Sequence, residues 1–274
     1  MNQIPRTPRN NFSLSIAGLG VAVVCHDTAL LERLRRHYQA FLSSVEPQFE
    51  VKVLVNPAKA PGVGGTGLDP QVVFFPAGLQ LAAPGFAGTI DERAGTARLS
   101  LALDYPLEAI DYFLRVLYAV LAFHSAGFLF HAAGIVRRSR AYLFFGHSGS
   151  GKTTIARLSS GDVVLNDDLV LLFPHGSGWL VHATPFWNPS QVLPTHQSAP
   201  LAGLYRLTQD RTVFLEKMGP AQALAEIVSN LPVITEDPAR SEAVLVRGAQ
   251  LLTTVPAYRL HFLPEASFWT IIDP

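Results

Sequence analysis

The chain has 274 residues, 49% of them hydrophobic and 15% charged, a composition that excludes a disordered polymer and allows one large domain or two modest ones. Lys plus Arg equals Asp plus Glu at 21 each, so there is no bulk electrostatic pull toward nucleic acid or anionic lipid. A single cysteine, Cys25, excludes an internal disulfide and any multi-cysteine metal site, and fits a reducing, cytoplasmic compartment.

The opening residues, MNQIPRTPRN, lead into no uninterrupted apolar stretch, so no signal peptide is expected. "FSLSIAG" and "GVAVVC" read as strands. "DTALLERLRRHYQAFLSSV" reads as an amphipathic helix started by Asp27 or Thr28. A strand "FEVKVLVNP" and a Gly/Pro-rich loop at 60–70 follow. "QVVFFPAGLQLA", "GFAGTID" and "TARLSLALD" then complete a sheet that looks antiparallel. "YPLEAIDYFLRVLYAVLAFHSAG" is a long apolar helix. Residues 116–136 carry no Asp, Glu, Lys or Arg and have the length of a membrane span, but "HSAGF" in their middle reads as a helix stop followed by a strand. A buried helix running into a core strand is expected, with no membrane partner.

From residue 128 the pattern becomes strand, turn, strand, loop, helix, strand. "FLFHAAGIV" and "AYLFFG" are expected to pair through the polar turn "RRSR". A glycine-rich loop leads into the short helix "TTIARLSS", and "DVVLNDDLVLLF" reads as a strand placed beside the loop strand. Helices are expected near "GPAQALAEIVSN" and "DPARSEAVLVRGAQLLTTV", with a closing strand "AYRLHFL". The expected division is a smaller α+β N-terminal region, 1–105, for substrate recognition or assembly, and a nucleotide-binding domain over 106–274.

Gly146, His147, Ser148, Gly149, Ser150, Gly151, Lys152 and Thr153 satisfy GxxxxGK[ST], with Thr154 next. Glycines let such a loop turn its N–H groups around an anion. A lysine reaches the β/γ-phosphates and a Thr hydroxyl ligates Mg²⁺. An apolar strand leads in and a helix leads out, which is the required context. The motif alone names no reaction.

Fifteen residues after the lysine (167 − 152 = 15), Asp167 and Asp168 interrupt an apolar run, "VLNDDLVLL". Buried carboxylates need a cation, a donor or a shared proton. Neighbours on an extended strand point to opposite faces. The pair therefore serves one site only if the strand ends or bulges there, or if one faces a metal and the other a second partner. His131, on "FLFHAAGIV", is a candidate for that partner. In one division of labour an Asp holds Mg²⁺ with Thr153, and the other accepts the proton of an attacking hydroxyl. The candidate metal residues are Thr153 and Asp167; the catalytic set is Asp167, Asp168, His131 and Lys152.

"FHAAGIV…YLFFGHSGSGKTTIARL…VVLNDDLVLL" resembles the core of HPr kinase/phosphorylase and its P-loop serine-kinase-like relatives. The likeness covers residues 128–172 strongly and the flanks only in general organisation. It implies an α/β P-loop kinase domain related to phosphoenolpyruvate carboxykinases. It also implies Mg-ATP as donor and a serine-type hydroxyl on a peptide, protein or small molecule as acceptor, with a homo-oligomer compatible. Thr154 stands where that family has Glu, and its Glu-Ile-Arg-Gly segment is missing. Arg206 in "LAGLYRLTQD", read as a loop, is the first candidate for a charge-neutralising arginine, with Arg259 and Lys217 behind it. Phe186 and Trp187 are candidates for an acceptor-site or adenine-side wall, although such a pair more often covers the edge of the core. Phe268 and Trp269 read as packing. The alternative to a kinase is a nucleotide-binding accessory or scaffold protein of a biosynthetic cluster with weak catalysis.

Overall fold

A computed structural model describes residues 10–56, 70–102, 106–186 and 196–273. The expected loop at 60–70 lies outside them except for Pro70, as does Trp187. The fold is mixed α/β with two sheets. The chain divides into two compact units between Leu117 and Tyr118.

In the N-terminal unit, β1 (Asn11–Ile16) and β2 (Leu19–Cys25) form a hairpin, and α1 (Thr28–His37) crosses over to β3 (Phe49–Val55). Asp27 caps α1, its carboxylate accepting from Leu30 N at 2.8 Å, while Leu30, Leu31 and Leu34 face the core. The helix is shorter than its apolar pattern predicts. Leu42 bridges Leu14, and Ser43 N donates to Ser13 O at 3.0 Å, so β1 takes these residues into its ladder. The predicted strand at 71–82 is a hairpin, β4 (Gln71–Phe75) and β5 (Gly78–Ala83), broken at Pro76, which has no N–H for a ladder. With β6 (Phe86–Asp91) and β7 (Thr96–Leu101) the order is β1-β2-β3-β7-β6-β5-β4. The antiparallel expectation holds for β1 with β2 and from β4 through β7. It is corrected at β3, which runs parallel to β2, because α1 returns the chain in the same direction, and also parallel to β7.

Helix α2 (Pro106–His124) carries the apolar run into the second unit and stops where expected. Ala126 takes φ 62°, and the strand β8 (Phe128–Arg137) begins two residues later. No helix among the described residues is long and apolar enough to cross a membrane. β8 turns into β9 (Arg140–Phe145) through Arg138 and Ser139, both with positive φ (47° and 64°), the backbone of a primed hairpin turn.

After α3 (Lys152–Leu158) come β10 (Val163–Asn166), β11 (Leu169–His175), β12 (Gly178–His182) and the twelve-residue β13 (Ser198–Gln209). Then follow β14 (Phe214–Lys217), α4 (Pro220–Val228), α5 (Ser241–Thr254), β15 (Ala257–Phe262) and α6 (Trp269–Ile272). β13 and β14 go beyond the sequence reading, and Arg206 stands on β13, not on a loop. The main order is β10-β8-β11-β12-β13-β15-β14, with β9 between β8 and β13.

Two long strands change partners partway. The first half of β8 (128–131) pairs with β11, while its second half pairs with β9 and β10. β13 begins against β12 and continues between β9 and β15, with a bulge at Leu201–Gly203. Such handovers are how strands make corners between sheets. The predicted strand 162–173 turns the same corner and is therefore two strands. It lies against β8, not beside the loop strand β9 as the spacing suggested. Ala133, Ile135, Phe144, Tyr205, Leu207, Leu260 and Phe262 form a core under Ile155 and Ala156 of α3, with Phe268 and Trp269 packed into it.

Candidate functional site

Strand alternation decides which face each candidate takes. Ala133 and Ile135 belong to the α3 core, so His131 points to that face of β8 too. Tyr205 and Leu207 also belong to it, so Arg206 points to the opposite face. There its guanidinium meets Glu226 of α4 at 3.3 Å and donates to Leu207 O at 2.6 Å. Arg259, paired with Arg206 in register, reaches Glu216 at 3.8 Å. Lys217 is exposed on the short strand β14. Arg206 and Arg259 are thus occupied on the face away from α3, and Lys217, opposite Tyr258, is exposed at the sheet edge. Phe186 is fully buried, its ring 5.7 Å from that of Tyr118, so it belongs to the core and not to an acceptor wall.

The loop runs from the end of β9 into α3. Gly151, just before the helix, adopts φ 109°, and a Cβ there would lie 2.5 Å from Phe262 Cζ. No side chain fits, which is the physical content of the motif's second glycine. Lys152, only 8% exposed, folds back to donate to Gly146 O at 2.9 Å and His147 O at 3.4 Å. Burial pushes its pKa down, while Asp168 and Asp167 oppose that shift. The Ser150 hydroxyl is buried with no hydrogen-bond partner among the described residues. His147 and Ser148 are exposed, and Thr154 is half-buried on α3. From the end of β13, Gln209 Nε2 donates to Gly149 O at 2.9 Å and tethers the loop. Sequence reading missed this contact, which spans 60 positions.

The corner between β10 and β11 is where the two carboxylates part. Asp167 is 5% exposed and accepts from Thr153 Oγ1 at 3.0 Å. Desolvation pushes its pKa up and the Asp168 charge adds to that, against the bond from Thr153 and the charge of Lys152. Asp168 is half-buried and turned to His131, with Oδ1 3.0 Å from Nε2. The structure thus joins Thr153 to Asp167 and His131 to Asp168, and the Lys152 charge is felt by both carboxylates.

Asn166 holds the corner, and sequence reading passed over it. Its Oδ1 accepts from Asp168 N (2.7 Å) and Leu169 N (3.0 Å). Its Nδ2 faces Thr184 O (3.0 Å), Phe186 O (3.2 Å) and Thr184 Oγ1 (3.3 Å). Thr184, fully buried, also donates its hydroxyl to Leu169 O at 2.6 Å. The only advance signal was a polar residue, Asn, before two acids inside an apolar run.

The donor set can be tested against a magnesium nucleotide. Thr153 donates its hydroxyl hydrogen to Asp167, which brings a hydroxyl oxygen and a carboxylate side by side. A hydroxyl and a carboxylate are the hard oxygen ligands Mg²⁺ takes, and the ion otherwise keeps waters and phosphate oxygens. The unsatisfied Ser150 hydroxyl and the buried ammonium of Lys152 add two donors in the loop for an anion. The residues fit the group. No cluster of three or more His, Cys, Asp or Glu suited to a metal occurs among the described residues.

No protein-family model and no curated protein matches the sequence. Among solved structures, the Hpr(Ser) kinase/phosphatase from Coxiella burnetii is similar with a TM-score of 0.28 and 9% identity. That overlap covers 49% of this chain and 84% of the other, and a likeness so distant carries no inference about the reaction.

Proposed function

We propose that this chain is a phosphotransferase that moves the γ-phosphoryl group of Mg-ATP to a serine-type hydroxyl of a peptide, protein or small molecule. The observation that carries the reading is the parting of the two carboxylates beside a GxxxxGK[ST] loop. One is buried against the loop's threonine, and the other is open to a histidine. A site that only gripped a nucleotide would have no use for the second, half-exposed acid.

In this reading Lys152 and the loop N–H groups hold the phosphates, with Ser150 as a further donor. Thr153 and Asp167 would hold Mg²⁺, which would supply positive charge to offset that of the phosphates. Asp168 accepts the acceptor's proton as its oxygen bonds to the γ-phosphorus and the bond to the β-phosphate oxygen breaks. His131 fixes the Asp168 carboxylate and shares its proton. The rest is positioning, which can supply several kcal/mol by itself.

A second reading, a nucleotide-binding accessory protein with slow transfer, draws on Arg206 and Arg259, whose charges are tied to Glu226 and Glu216 on the far face. Thiophosphate transfer from Mg-ATPγS into a host lysate, read by mass spectrometry beside Lys152→Ala and Asp168→Asn, separates the two. A labelled hydroxyl seen only with wild type supports the phosphotransferase. Clear Mg-ADP binding without any label supports the accessory role.

A further inference from the structure

We infer that Asn166, with Thr184 behind it, is the positioning residue that aims Asp168 at the reacting hydroxyl; the inference rests on the phosphotransferase reading above. The chemistry of its surroundings fixes its amide orientation. The two backbone N–H groups of Asp168 and Leu169 can only donate, and the carbonyls of Thr184 and Phe186 can only accept. A carboxylate of the same shape would satisfy the first pair and confront the second with negative charge. Asn is therefore the one common side chain of this length that meets both sides.

The consequence for Asp168 is geometric. Asn166 Oδ1 takes the N–H of Asp168 and Leu169 in a tight turn directly after its own pairing with Gly134, and positions 167 and 168 form no ladder pair with β8. The ladder resumes at Leu169, opposite His131. With the ladder suspended, the two acids need not alternate across a sheet. Asp167 turns to Thr153 and Asp168 to His131. Thr184 braces the other side by holding Leu169 O. Asp167 has its own anchor in Thr153, so loss of Asn166 should fall on Asp168 first.

The test compares wild type with Asn166→Ala, Asn166→Asp and the near-isosteric Thr184→Val. Thiophosphate transfer to the labelled acceptor gives kcat and the KM for nucleotide, Mg-ADP titration gives affinity, and amide exchange follows Asp168 and Leu169. The expected result is a kcat about 30-fold or more below wild type for both Asn166 variants, in line with the cost of a misplaced reacting group. KM and Mg-ADP affinity should stay within about threefold, because the grip on phosphate is left in place. Thr184→Val should give a smaller loss in the same sense. Faster exchange should be confined to the corner.

A kcat within threefold of wild type in a variant whose corner amides exchange freely would overturn the inference. So would a kcat loss matched by the loss of Mg-ADP affinity, since that would make Asn166 a general scaffold. Unchanged exchange at Asp168 and Leu169 in Asn166→Ala would overturn it with no reference to activity. If wild type binds Mg-ADP but transfers nothing, the phosphotransferase reading fails. In that case a loosened corner still establishes Asn166 as what holds Asp168.

Discussion

Replacing Asp167 by Asn should stabilise the unliganded chain while abolishing what the site is for. Asp167 is 5% exposed, and a hydrogen bond at 3.0 Å from Thr153, with help from its own backbone N–H, faces a desolvation cost of several kcal/mol. A hydrogen bond to a charged group returns only about 1.5–3 kcal/mol. Lys152 offsets part of the remainder, and the repulsion from Asp168 adds to it. The residual penalty is then about 1–2 kcal/mol. Asn keeps the acceptor for Thr153 and removes the charge.

The C-terminal unit runs from Tyr118 to Pro274, 157 residues (274 − 118 + 1), a size at which each kcal/mol moves Tm by about 2–4 °C. Asp167→Asn should therefore melt about 2–8 °C above wild type at pH 7.5 without nucleotide. At 100-fold excess of Mg-ADP over its Kd the wild type gains about 2.7 kcal/mol. The variant gains far less, and the order of the two melting points inverts.

The pH dependence has a definite sign. The folded-state pKa of Asp167 is raised, so the penalty is complete above that raised value. It vanishes as pH falls toward the unfolded carboxylate value of about 3.9. The advantage of the substitution should shrink on acidification from pH 7.5 to about 4.5. Scanning fluorimetry at both pH values, with and without Mg-ADP, is sufficient. A variant less stable than wild type at pH 7.5 without ligand would refute the reasoning. The carboxylate would then be a net structural asset, and no cost would be held in reserve for a cation.

Gly151→Ala combines a left-handed backbone with a Cβ 2.5 Å from Phe262, and should cost about 2–4 kcal/mol by urea denaturation, with loss of Mg-ADP binding. Trimming the ring in a Gly151→Ala, Phe262→Leu double variant should recover part of the stability. Ser139→Gly relieves a positive φ of 64° at the β8–β9 turn and should raise stability by roughly 0.5–1 kcal/mol without changing nucleotide affinity. A double-mutant cycle on Arg206→Ala and Glu226→Ala, each about one-fifth exposed, should give a coupling of about 0.5–1 kcal/mol and leave kcat within twofold. A much larger loss of kcat would return Arg206 to the site.

Legibility followed sequence distance. The phosphate loop and the order of His131, Lys152 and the acids are local, so the motif and the strand pattern around it were enough to mark them. The parting of Asp167 and Asp168 was legible only as a set of alternatives, because the group that enforces it, Asn166, draws on Thr184 and Phe186, 18 and 20 positions away. Gln209 gave no sign at all. β13 was hidden because Pro200 and Gly203 break its alternation, and that placed Arg206 on a loop when it belongs to a sheet face. The parallel pairing of β2 with β3 had a usable signal, since a strand, a helix and a strand in succession make a parallel unit. The hairpin-like spacing of the later strands outweighed it.

The ring of Phe262 against Gly151 and the tether from Gln209 to Gly149 bear on when the loop is held in place during synthesis. Phe262 leaves the ribosome 110 residues after Lys152 (262 − 152 = 110), a delay of roughly 5–20 s at ordinary elongation rates. Until then the nascent chain holds His131, Lys152, both acids and the Gln209 tether but lacks the strand that brings Phe262 against the loop. Chains stalled or cleaved before β15 carry the loop, His131 and both acids without the aromatic ring that stands against Gly151.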